Sequence, residues 1–454
     1  MRVPMHIPAS PHVWCAHPPW MSAPRLGWTA VTALSPFAGL SRLTEPTPQE
    51  REMDTPLVRR NPTPSGVDDD PTVRSFGMVS TFPPTPCGIA TFAAALSAGL
   101  VSLGATVDVV RCGASLALED PLVTQHLGDA SPERLAACTA ALNATDVVIV
   151  QHEYGIYDGV DGDSLLDLMV GIEVPIVLIA HTVMNDPTPH QRDVLERACS
   201  SADVVVVMTD VGRQRLSAGY GVAEDKVIVI PHGAATPPVS ATNDQNERPR
   251  SGRRPRLLTW GLLGPGKGIE WAIDAFAELG DLEPAPTYVI AGATHPKVRE
   301  HAGEAYREML VERAERSGAG ASVSFDDSYR DLESLTQLIR SADLVVLPYD
   351  SADQVTSGVL VDAVAAGRPV VSTAFPHAVE LLATGAGIVV PQRDPGALAA
   401  AIRSVLTDTE RAREMAAEAR RLAPGLSWTA VAGRYGELAA RLATEHPVEG
   451  PVPS

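Results

Sequence analysis

The sequence predicts an α/β protein made of two consecutive domains, each a parallel β-sheet covered by helices. The chain has 454 residues, about twice what one hydrophobic core usually serves. From Ser75 onward, short Val/Ile-rich runs alternate with longer Ala/Leu/Glu/Arg-rich stretches, which is the rhythm of βαβ units. A polar, proline-bearing segment interrupts this rhythm near the middle of the chain. These observations favour two parallel-sheet domains joined by a linker.

The strand candidates are short, and most are continuously apolar, as expected of strands buried on both faces. In the first half they are Phe76–Ser80, Thr106–Arg111, Asp146–Gln151, Ile176–Ala180, Val204–Met208 and Val227–Ile230. In the second half they are Arg256–Trp260, Thr287–Ala291, Ser322–Phe325, Leu344–Pro348, Pro369–Ser372 and Gly387–Val390. We therefore expect domains over residues 73–240 and 256–425, with the linker at 241–255.

The two ends of the chain are expected to lie outside these domains. Residues 1–72 are rich in Pro, Ser, Arg and Asp, which predicts a disordered extension or a true start at Met53. The apolar stretch Trp28–Leu40 is interrupted by proline and lacks a clean cleavage site, so a secretory signal is not favoured. Residues 426–445 are expected to form a helix that packs back on the first domain, followed by a tail at 446–454.

The bulk composition excludes several classes of function. A hydrophobic content of 45% and a charged content of 20% are ordinary for a soluble enzyme. A net charge of −19 argues against a nucleic-acid partner, which needs a basic face. The five cysteines have no Cys-x-x-Cys spacing and predict neither disulfides nor zinc, which favours a reducing, cytoplasmic location. No apolar run approaches the roughly 18 residues of a membrane-spanning helix.

Polar side chains follow three strand candidates of the first half. His152, Glu153 and Tyr154 follow the third candidate, His181 the fourth and His232 the sixth. Ligands of open α/β sheets lie beyond the carboxyl ends of the strands, so the three histidines are expected along one edge. A single histidine there is more often structural, but three together favour a function for at least one. A metal site is the weaker interpretation because no His-x-x-x-His pair is present.

The first loop of the first half ends at Gly88 and leads into a helix predicted over Ile89–Leu103. Glycine would let the backbone approach a ligand, with the helix N-terminus aimed at it. Alternatively, the glycine serves only the geometry of the turn. Both interpretations stay open.

The corresponding loop of the second half is rich in glycine and carries Lys267 between Gly266 and Gly268. It is not the phosphate loop of nucleotide triphosphatases, because no hydroxyl residue follows the lysine to bind magnesium. A lysine on such a loop can still meet a diphosphate as a point charge. The alternative is a flexible, solvated lysine.

The segment after the strand candidate Leu344–Pro348 offers several polar groups and ends in a helix that reaches Gly367. Thr356 or Ser357 is expected to cap this helix, leaving three backbone N–H groups for an anion. We expect N–H donors for phosphate, an amide for sugar hydroxyls and a carboxylate for ribose hydroxyls. The groups concerned belong to Gln354, Thr356, Ser357, Gly358, Val359 and Asp362.

With these motifs the chain resembles the retaining glycosyltransferases of the large family that includes sucrose synthases and bacterial mannosyl- and glucosyltransferases. The resemblance covers about residues 76–440 and implies the GT-B fold, in which two Rossmann-like domains face a central cleft. The shared motifs are the glycine-bearing first loop, His181, Pro-His-Gly at 231–233, Gly-x5-Lys-Gly at 261–268 and Gly-Arg-Pro-Val-Val at 367–371. The family's Glu-x7-Glu motif matches Gln354 and Asp362 at the same spacing.

A bacterial subgroup of this family is similar in two further places. Gly-Ala-Thr-His-Pro at 292–296, which contains His295, and Gly-Glu-Ala-Tyr-Arg at 303–307 look like motifs of that subgroup. The subgroup also has a Ser-Gly pair where the wider family has Phe-Gly, and this matches Ser357-Gly358.

The resemblance implies transfer of a hexosyl group from a nucleotide-diphosphate sugar to an acceptor hydroxyl, with retention of configuration and no metal or cofactor. Asp362 would hold the ribose hydroxyls, Lys267 the distal phosphate and Gln354 the sugar hydroxyls, with His181 near the reacting carbon. The implied catalytic residues are His181, Lys267 and Gln354. The implied donor-binding residues are Gly88, Gly266, Lys267, His295, Arg330, Gln354, Thr356, Ser357, Gly358, Val359 and Asp362. The implied acceptor-side residues are His152, Glu153 and Tyr154.

The expected partners are the donor and a carbohydrate or glycoconjugate acceptor, with peripheral membrane contact if that acceptor is a lipid. Two departures from the family leave other functions open. Leu262 stands where the family has an arginine, so that contact is missing or comes from elsewhere, for example Arg330. Gln354 lacks the charge of the usual glutamate. The alternatives are a non-catalytic nucleotide-sugar sensor or partner subunit, and another GT-B enzyme such as a sugar-nucleotide epimerase or a phosphorylase.

Overall fold

The computed structural model describes residues 73–85, 87–113, 120–235, 253–328 and 330–445. The predicted extension at 1–72, most of the predicted linker at 241–255 and the tail at 446–454 lie outside the described residues.

The described residues form two parallel sheets. The strands of the first are β1 Ser75–Ser80, β2 Thr106–Arg111, β3 Val123–His126, β4 Val147–His152, β5 Ile176–Ala180, β6 Val204–Val207 and β7 Val227–Val229. Those of the second are β8 Arg256–Trp260, β9 Thr287–Ala291, β10 Val323–Asp326, β11 Leu344–Leu347, β12 Val370–Thr373 and β13 Gly387–Val390. The order is β3-β2-β1-β4-β5-β6-β7 in the first sheet and β10-β9-β8-β11-β12-β13 in the second. The predicted α/β class with two Rossmann-like halves is therefore confirmed.

Helices connect the strands and cover the sheets. In the first half they are α1 Gly88–Ser102, α2 Pro132–Leu142, α3 Ser164–Met169, α4 Pro189–Ser201 and α5 Asp210–Tyr220. In the second half they are α6 Ile269–Ala277, α7 Pro296–Ala302, α8 Ala305–Arg316, α9 Leu332–Ser341, α10 Gly358–Ala365, α11 Pro376–Leu382, α12 Pro395–Thr407, α13 Thr409–Leu422 and α14 Trp428–Glu445. Among the described helices, none is both long enough and apolar enough to cross a membrane.

One strand, β3, was not predicted. Its residues Val123–His126 are partly exposed at the edge of the first sheet, and three of the four are polar. Strands buried on both faces give the apolar runs that sequence patterns detect, whereas an edge strand does not.

The chain crosses between the domains along two neighbouring segments. Ala234 donates its backbone N–H to the carbonyl oxygen of Leu426 at 2.6 Å, and Ala234 also forms a parallel bridge with Ser427. Helix α14 follows this crossing, and its residues Val431, Tyr435 and Leu438 are buried in the core of the first domain. The last helix thus packs on the first sheet, against α1.

In each sheet the strand order reverses next to the first strand, between β1 and β4 and between β8 and β11. At such a switch point, neighbouring loops leave on opposite faces and open a crevice at the carboxyl ends of the strands. The loops that carry Gly88 and Lys267 start at these points.

Candidate functional site

The loop after β8 is pressed against the end of β11. Gly268 has a φ of +60°, and a side-chain carbon added there would overlap the carbonyl oxygen of Pro348. Asp350 donates its N–H to the carbonyl oxygen of Gly266 at 3.1 Å, which ties the two loops together. Gly266 also has a positive φ, of +88°, which glycine adopts without strain.

Lys267 lies over an aromatic ring at this junction. Its Nζ is 4.4 Å from the centre of the Tyr349 ring, a cation–π distance. The side chain is half-buried, and burial lowers the pKa of Lys267 to about 8. The amine therefore stays mostly protonated at neutral pH and is held in place rather than freely solvated. Tyr349 is not among the predicted site residues, because a single aromatic residue after a buried strand belongs to no recognisable sequence motif.

Helix α10 begins at the same crevice, and Ser357 is its cap. The Ser357 Oγ accepts the N–H of Leu360 at 3.3 Å. The first helical hydrogen bond runs from the Val361 N–H to the Ser357 carbonyl oxygen, so the N–H groups of Gly358 and Val359 lie ahead of it. The expectation that Ser357 also offers a free N–H is wrong. That N–H donates to Nδ1 of His377 at 2.8 Å.

His377 is a site residue that sequence reasoning missed. It is 4% exposed and lies in the first turn of α11. Burial, and secondarily the proximity of His232, lowers the pKa of His377 to about 3. The ring is therefore neutral at physiological pH, and because Nδ1 accepts a hydrogen bond, Nε2 carries the proton.

Gln354 and Asp362, the pair matched to the family's two glutamates, are both buried. The side-chain amide of Gln354 donates to the carbonyl oxygen of Thr356 at 3.1 Å, inside the turn before α10. The carboxylate of Asp362 accepts the N–H of Ala235 at 2.8 Å. Asp362 thus holds the segment that crosses between the domains, and a ribose would share this carboxylate with the chain's own backbone.

His295 and Arg330 lie in the segments that follow β9 and β10. His295 caps α7, and its Nδ1 accepts the N–H of Lys297 at 3.2 Å. Burial, and then the charges of Lys267 and Lys297, lowers the pKa of His295. The expected donor residues His295 and Lys267 are therefore close enough to interact electrostatically.

Arg330 lines a pocket of about 270 Å³, including space open to solvent, beyond the ends of β8 and β9. Its guanidinium is paired with the Asp326 carboxylate. The pocket is lined by Trp260, Gly261, Ala291, Gly292, Ser328, Arg330 and Leu335. Leu262, at the position of the family's arginine, is buried.

In the first domain, Gly88 is the first residue of α1. Cys87 caps this helix through its sulfur, which accepts the N–H of Ala90 at 3.3 Å. The same sulfur lies 3.1 Å from the hydroxyl of Thr81, which follows β1 directly. The first loop is thus closed on the strand end, with Gly88 half-buried at the start of the helix.

Two of the three strand-end histidines lie against one aromatic ring. The rings of His181 and His232 meet Phe92 edge-on, with centroids 4.9 and 5.1 Å from its own. The Nε2 of His181 is also hydrogen-bonded to the side-chain oxygen of Gln151. Burial lowers the pKa of His181 to about 3 and that of His232 to about 4. Among the described residues, no three His, Cys, Asp or Glu side chains form a metal-binding group.

The predicted acceptor-side residues are all buried in the structure. His152, Glu153 and Tyr154 are only 1%, 5% and 6% exposed. The Glu153 carboxylate accepts the hydroxyl of Thr182, and the Tyr154 hydroxyl donates to the Gln191 carbonyl oxygen at 3.2 Å. Glu153 and Tyr154 thus have partners within the first domain, whereas Nδ1 of His152 is buried without a hydrogen-bond partner.

The loop that carries Gln354 also contacts the first domain across the cleft. Asn185 donates its N–H to Oδ1 of Asp353 at 3.1 Å. The guanidinium of Arg215 donates to the carbonyl oxygen of Ala352 at 2.8 Å. The two domains are therefore joined at the site, with this loop between them.

Two family models match successive parts of the chain. Residues 86–236 match the model described as Glycosyltransferase Family 4, and residues 240–422 match the model described as Glycosyl transferases group 1. The boundary between the two matches falls at the crossing between the two sheets.

Individual proteins resemble the chain over similar lengths. A D-inositol 3-phosphate glycosyltransferase of Corynebacterium glutamicum is 27% identical over 332 residues, which is 68% of this chain and 78% of that protein. Sucrose-phosphate synthase from Thermosynechococcus elongatus superposes with a TM-score of 0.66 at 19% identity, over 82% of this chain and all of that one. Anabaena HepE in complex with UDP-glucose superposes with a TM-score of 0.60 at 17% identity, over 81% of this chain and 99% of that one.

Proposed function

Because this chain belongs to the GT-B glycosyltransferases, we propose that it moves a hexosyl group from a nucleotide-diphosphate sugar to an acceptor hydroxyl. The transfer would retain the anomeric configuration and need no metal ion. The observation that best supports this proposal is the position of Lys267 and the N-terminus of α10. Both lie at the switch point of the second sheet.

In the proposed reaction, the bond between the sugar C1 and the diphosphate oxygen breaks through an oxocarbenium-like state. Negative charge then builds on the departing diphosphate. Lys267 and the N–H groups of Gly358 and Val359 are donors that stabilise this charge. Such donors are effective because they are already in position and need not reorganise during the reaction. The acceptor hydroxyl attacks C1 on the same face, near His181, and gives its proton to the departing diphosphate oxygen. Closure of the cleft would exclude water, which would otherwise hydrolyse the donor.

The substrate classes are proposed from chemistry and from the relatives. HepE was solved with UDP-glucose, and the Corynebacterium relative is a D-inositol 3-phosphate glycosyltransferase. We propose a nucleotide-sugar donor and a carbohydrate or glycoconjugate acceptor, with peripheral membrane contact if that acceptor is a lipid. The proposed location is the cytoplasm, where nucleotide-sugars are made.

A donor screen tests this proposal. UDP-, GDP- and ADP-sugars would first be compared by thermal shift, because a ligand that binds only the folded state raises the melting temperature. The stabilising donor would then be labelled in its sugar and incubated with sugar, polyol and lipid acceptors, with and without EDTA. We expect label in an acceptor product, EDTA-insensitive turnover and an unchanged anomeric configuration by NMR. Inversion or loss of activity with EDTA would overturn the corresponding part of the proposal.

A second candidate is a non-catalytic nucleotide-sugar sensor or partner subunit. It is favoured by Leu262 in place of the arginine and by the uncharged Gln354. Tight donor binding without turnover on any acceptor would support it. An epimerase or phosphorylase would be revealed by a changed donor sugar or a sugar phosphate in reactions without acceptor.

A further inference from the structure

His377 supplies a hydrogen bond that α10 cannot make for itself. In a capping box, a Glu or Gln at the third helical position accepts the N–H of the cap residue. In α10 that position is Leu360, which has no acceptor in its side chain. Nδ1 of His377, on a different helix, takes the Ser357 N–H instead, at 2.8 Å.

This hydrogen bond divides the N–H groups of the first turn into two sets. The N–H of Ser357 goes to His377, and the N–H of Leu360 goes to the Ser357 hydroxyl. The first four N–H groups of a helix have no partner within the helix, so those of Gly358 and Val359 remain to bind a ligand. The direction of these two N–H groups depends on how the turn is held.

The surroundings of His377 fix its ring. It is 4% exposed, it is the second residue of α11, and it lies near His232 of the first domain. Three residues further along the same helix, Glu380 contacts the first turn of α5 across the cleft. Helix α11 therefore connects the cap of α10 to the first domain.

We propose that His377 is a positioning residue for donor binding. By holding the N–H of Ser357, it sets the first turn of α10 so that the Gly358 and Val359 N–H groups point at the phosphate of the donor. This inference rests on the proposed function of α10 as the phosphate-binding helix. In this role His377 acts through the Ser357 N–H and not by touching the donor.

The experiment compares His377→Ala with His377→Asn in the full-length chain. Asparagine places its side-chain oxygen close to where Nδ1 lies and so keeps an acceptor, whereas alanine removes it. Affinities for UDP, GDP, ADP and inorganic pyrophosphate would be measured by calorimetry, together with donor KM and kcat. We expect alanine to weaken binding of the preferred nucleotide roughly tenfold and to raise donor KM. The reason is that the hydrogen bond that orients the first turn of α10 is lost, and one hydrogen bond contributes about that much. Asparagine should restore most of this loss.

His301→Ala is the matched control, since His301 is exposed on α7 of the same domain. It should leave nucleotide affinity unchanged. An alanine variant that binds the nucleotide as tightly as the wild type, or an asparagine variant as impaired as alanine, would overturn the role of His377.

Two further outcomes are distinguishable. If His377→Ala does not fold, ¹⁵N NMR of the wild-type histidines still tests the geometry, because the inference requires His377 to carry its proton on Nε2. A proton on Nδ1 would refute it. If the wild type binds none of the four phosphate compounds, the proposed function fails together with this role. Binding by the wild type with no effect of alanine refutes the role of His377 alone.

Discussion

Glu380 of the second domain accepts the backbone N–H of Asp210 of the first, with 2.9 Å between the nitrogen and Oε1. Its other carboxylate oxygen accepts the N–H of Val211 at 3.2 Å. Asp210 and Val211 begin α5, so a carboxylate from one domain binds the positive end of a helix in the other. This contact joins the two domains, in addition to those that Asn185 and Arg215 make with the Gln354 loop.

Replacing Glu380 by alanine is expected to favour an open cleft. Two charge-assisted hydrogen bonds across the domains are lost, which together contribute on the order of 2 kcal/mol to the closed state. Small-angle X-ray scattering should report a larger radius of gyration for Glu380→Ala. Glu437→Ala, on the exposed side of α14, serves as the control and should leave the radius unchanged. Equal radii for Glu380→Ala and the wild type would contradict the contact.

The affinity for UDP or another preferred nucleotide should depend on pH through Lys267. Burial lowers its pKa to about 8, so the free enzyme loses this positive charge as pH rises through 8, well before an ordinary lysine would. Bound phosphate favours the charged amine and moves the transition somewhat higher. Calorimetry at pH 7, 8 and 9 should show weakening affinity for the wild type and a flatter profile for Lys267→Arg. Parallel profiles would exclude Lys267 as the titrating group.

Acid should destabilise the protein through its buried histidines. Burial lowers the pKa to about 4 in His152 and His232 and to about 3 in His181 and His377, against 6.5 for an ordinary histidine. Below pH 6.5 the unfolded chain therefore binds protons that the folded chain does not. The free energy of unfolding should fall as pH decreases from 6.5 towards 4, by up to about 1.4 kcal/mol per pH unit for each histidine.

Urea unfolding at pH 7, 6 and 5 measures this loss. His377→Asn should show a shallower pH dependence, because one of the four titrating groups is gone. A free energy of unfolding that is constant between pH 7 and pH 5 would show that these histidines titrate normally in the folded chain.

Restoring the family's glutamate at position 354 is expected to harm the protein. The Gln354 amide donates to the Thr356 carbonyl oxygen at 3.1 Å, and a carboxylate cannot donate there. Gln354→Glu would place a negative charge against that carbonyl in a buried turn, at a cost of about 1–3 kcal/mol. Chemical denaturation should show lower stability, and calorimetry weaker nucleotide binding. Increased transfer activity in this variant would show that the turn rearranges when the donor binds.

Gly268 should tolerate no side chain. A methyl group there would overlap the carbonyl oxygen of Pro348, and the φ of +60° disfavours other residues. We expect Gly268→Ala to lower the free energy of unfolding by more than about 2 kcal/mol. Gly433→Ala is the control in α14, where an added methyl group meets nothing within 4 Å. The control should stabilise the helix by roughly 0.5–1 kcal/mol. Equal melting temperatures for the two variants would contradict the close approach at Gly268.

Much of the candidate site could be predicted because its residues directly follow the apolar runs that mark buried strands. Lys267, Gln354 and Ser357 follow buried strands whose apolar runs are plain in the sequence, and the carboxyl ends of parallel strands meet at one edge. The preference of helix N-caps for hydroxyl residues left Thr356 and Ser357 as the two candidates for the cap of α10. His377 could not be predicted, because its partner is 20 residues away and its helix start resembles any other.

The sequence by itself determined the two parallel sheets, the family motifs and the order of the loops, because each follows from local hydrophobic periodicity or residue spacing. Only the tertiary structure decided which polar groups remain available in the Lys267 and α10 crevice. In the folded chain, His152, Glu153 and Tyr154 are buried. The Ser357 N–H is hydrogen-bonded to His377, and the Asp362 carboxylate accepts the N–H of Ala235. These pairings join residues that are distant in the chain, and desolvation forces buried polar groups to find such partners.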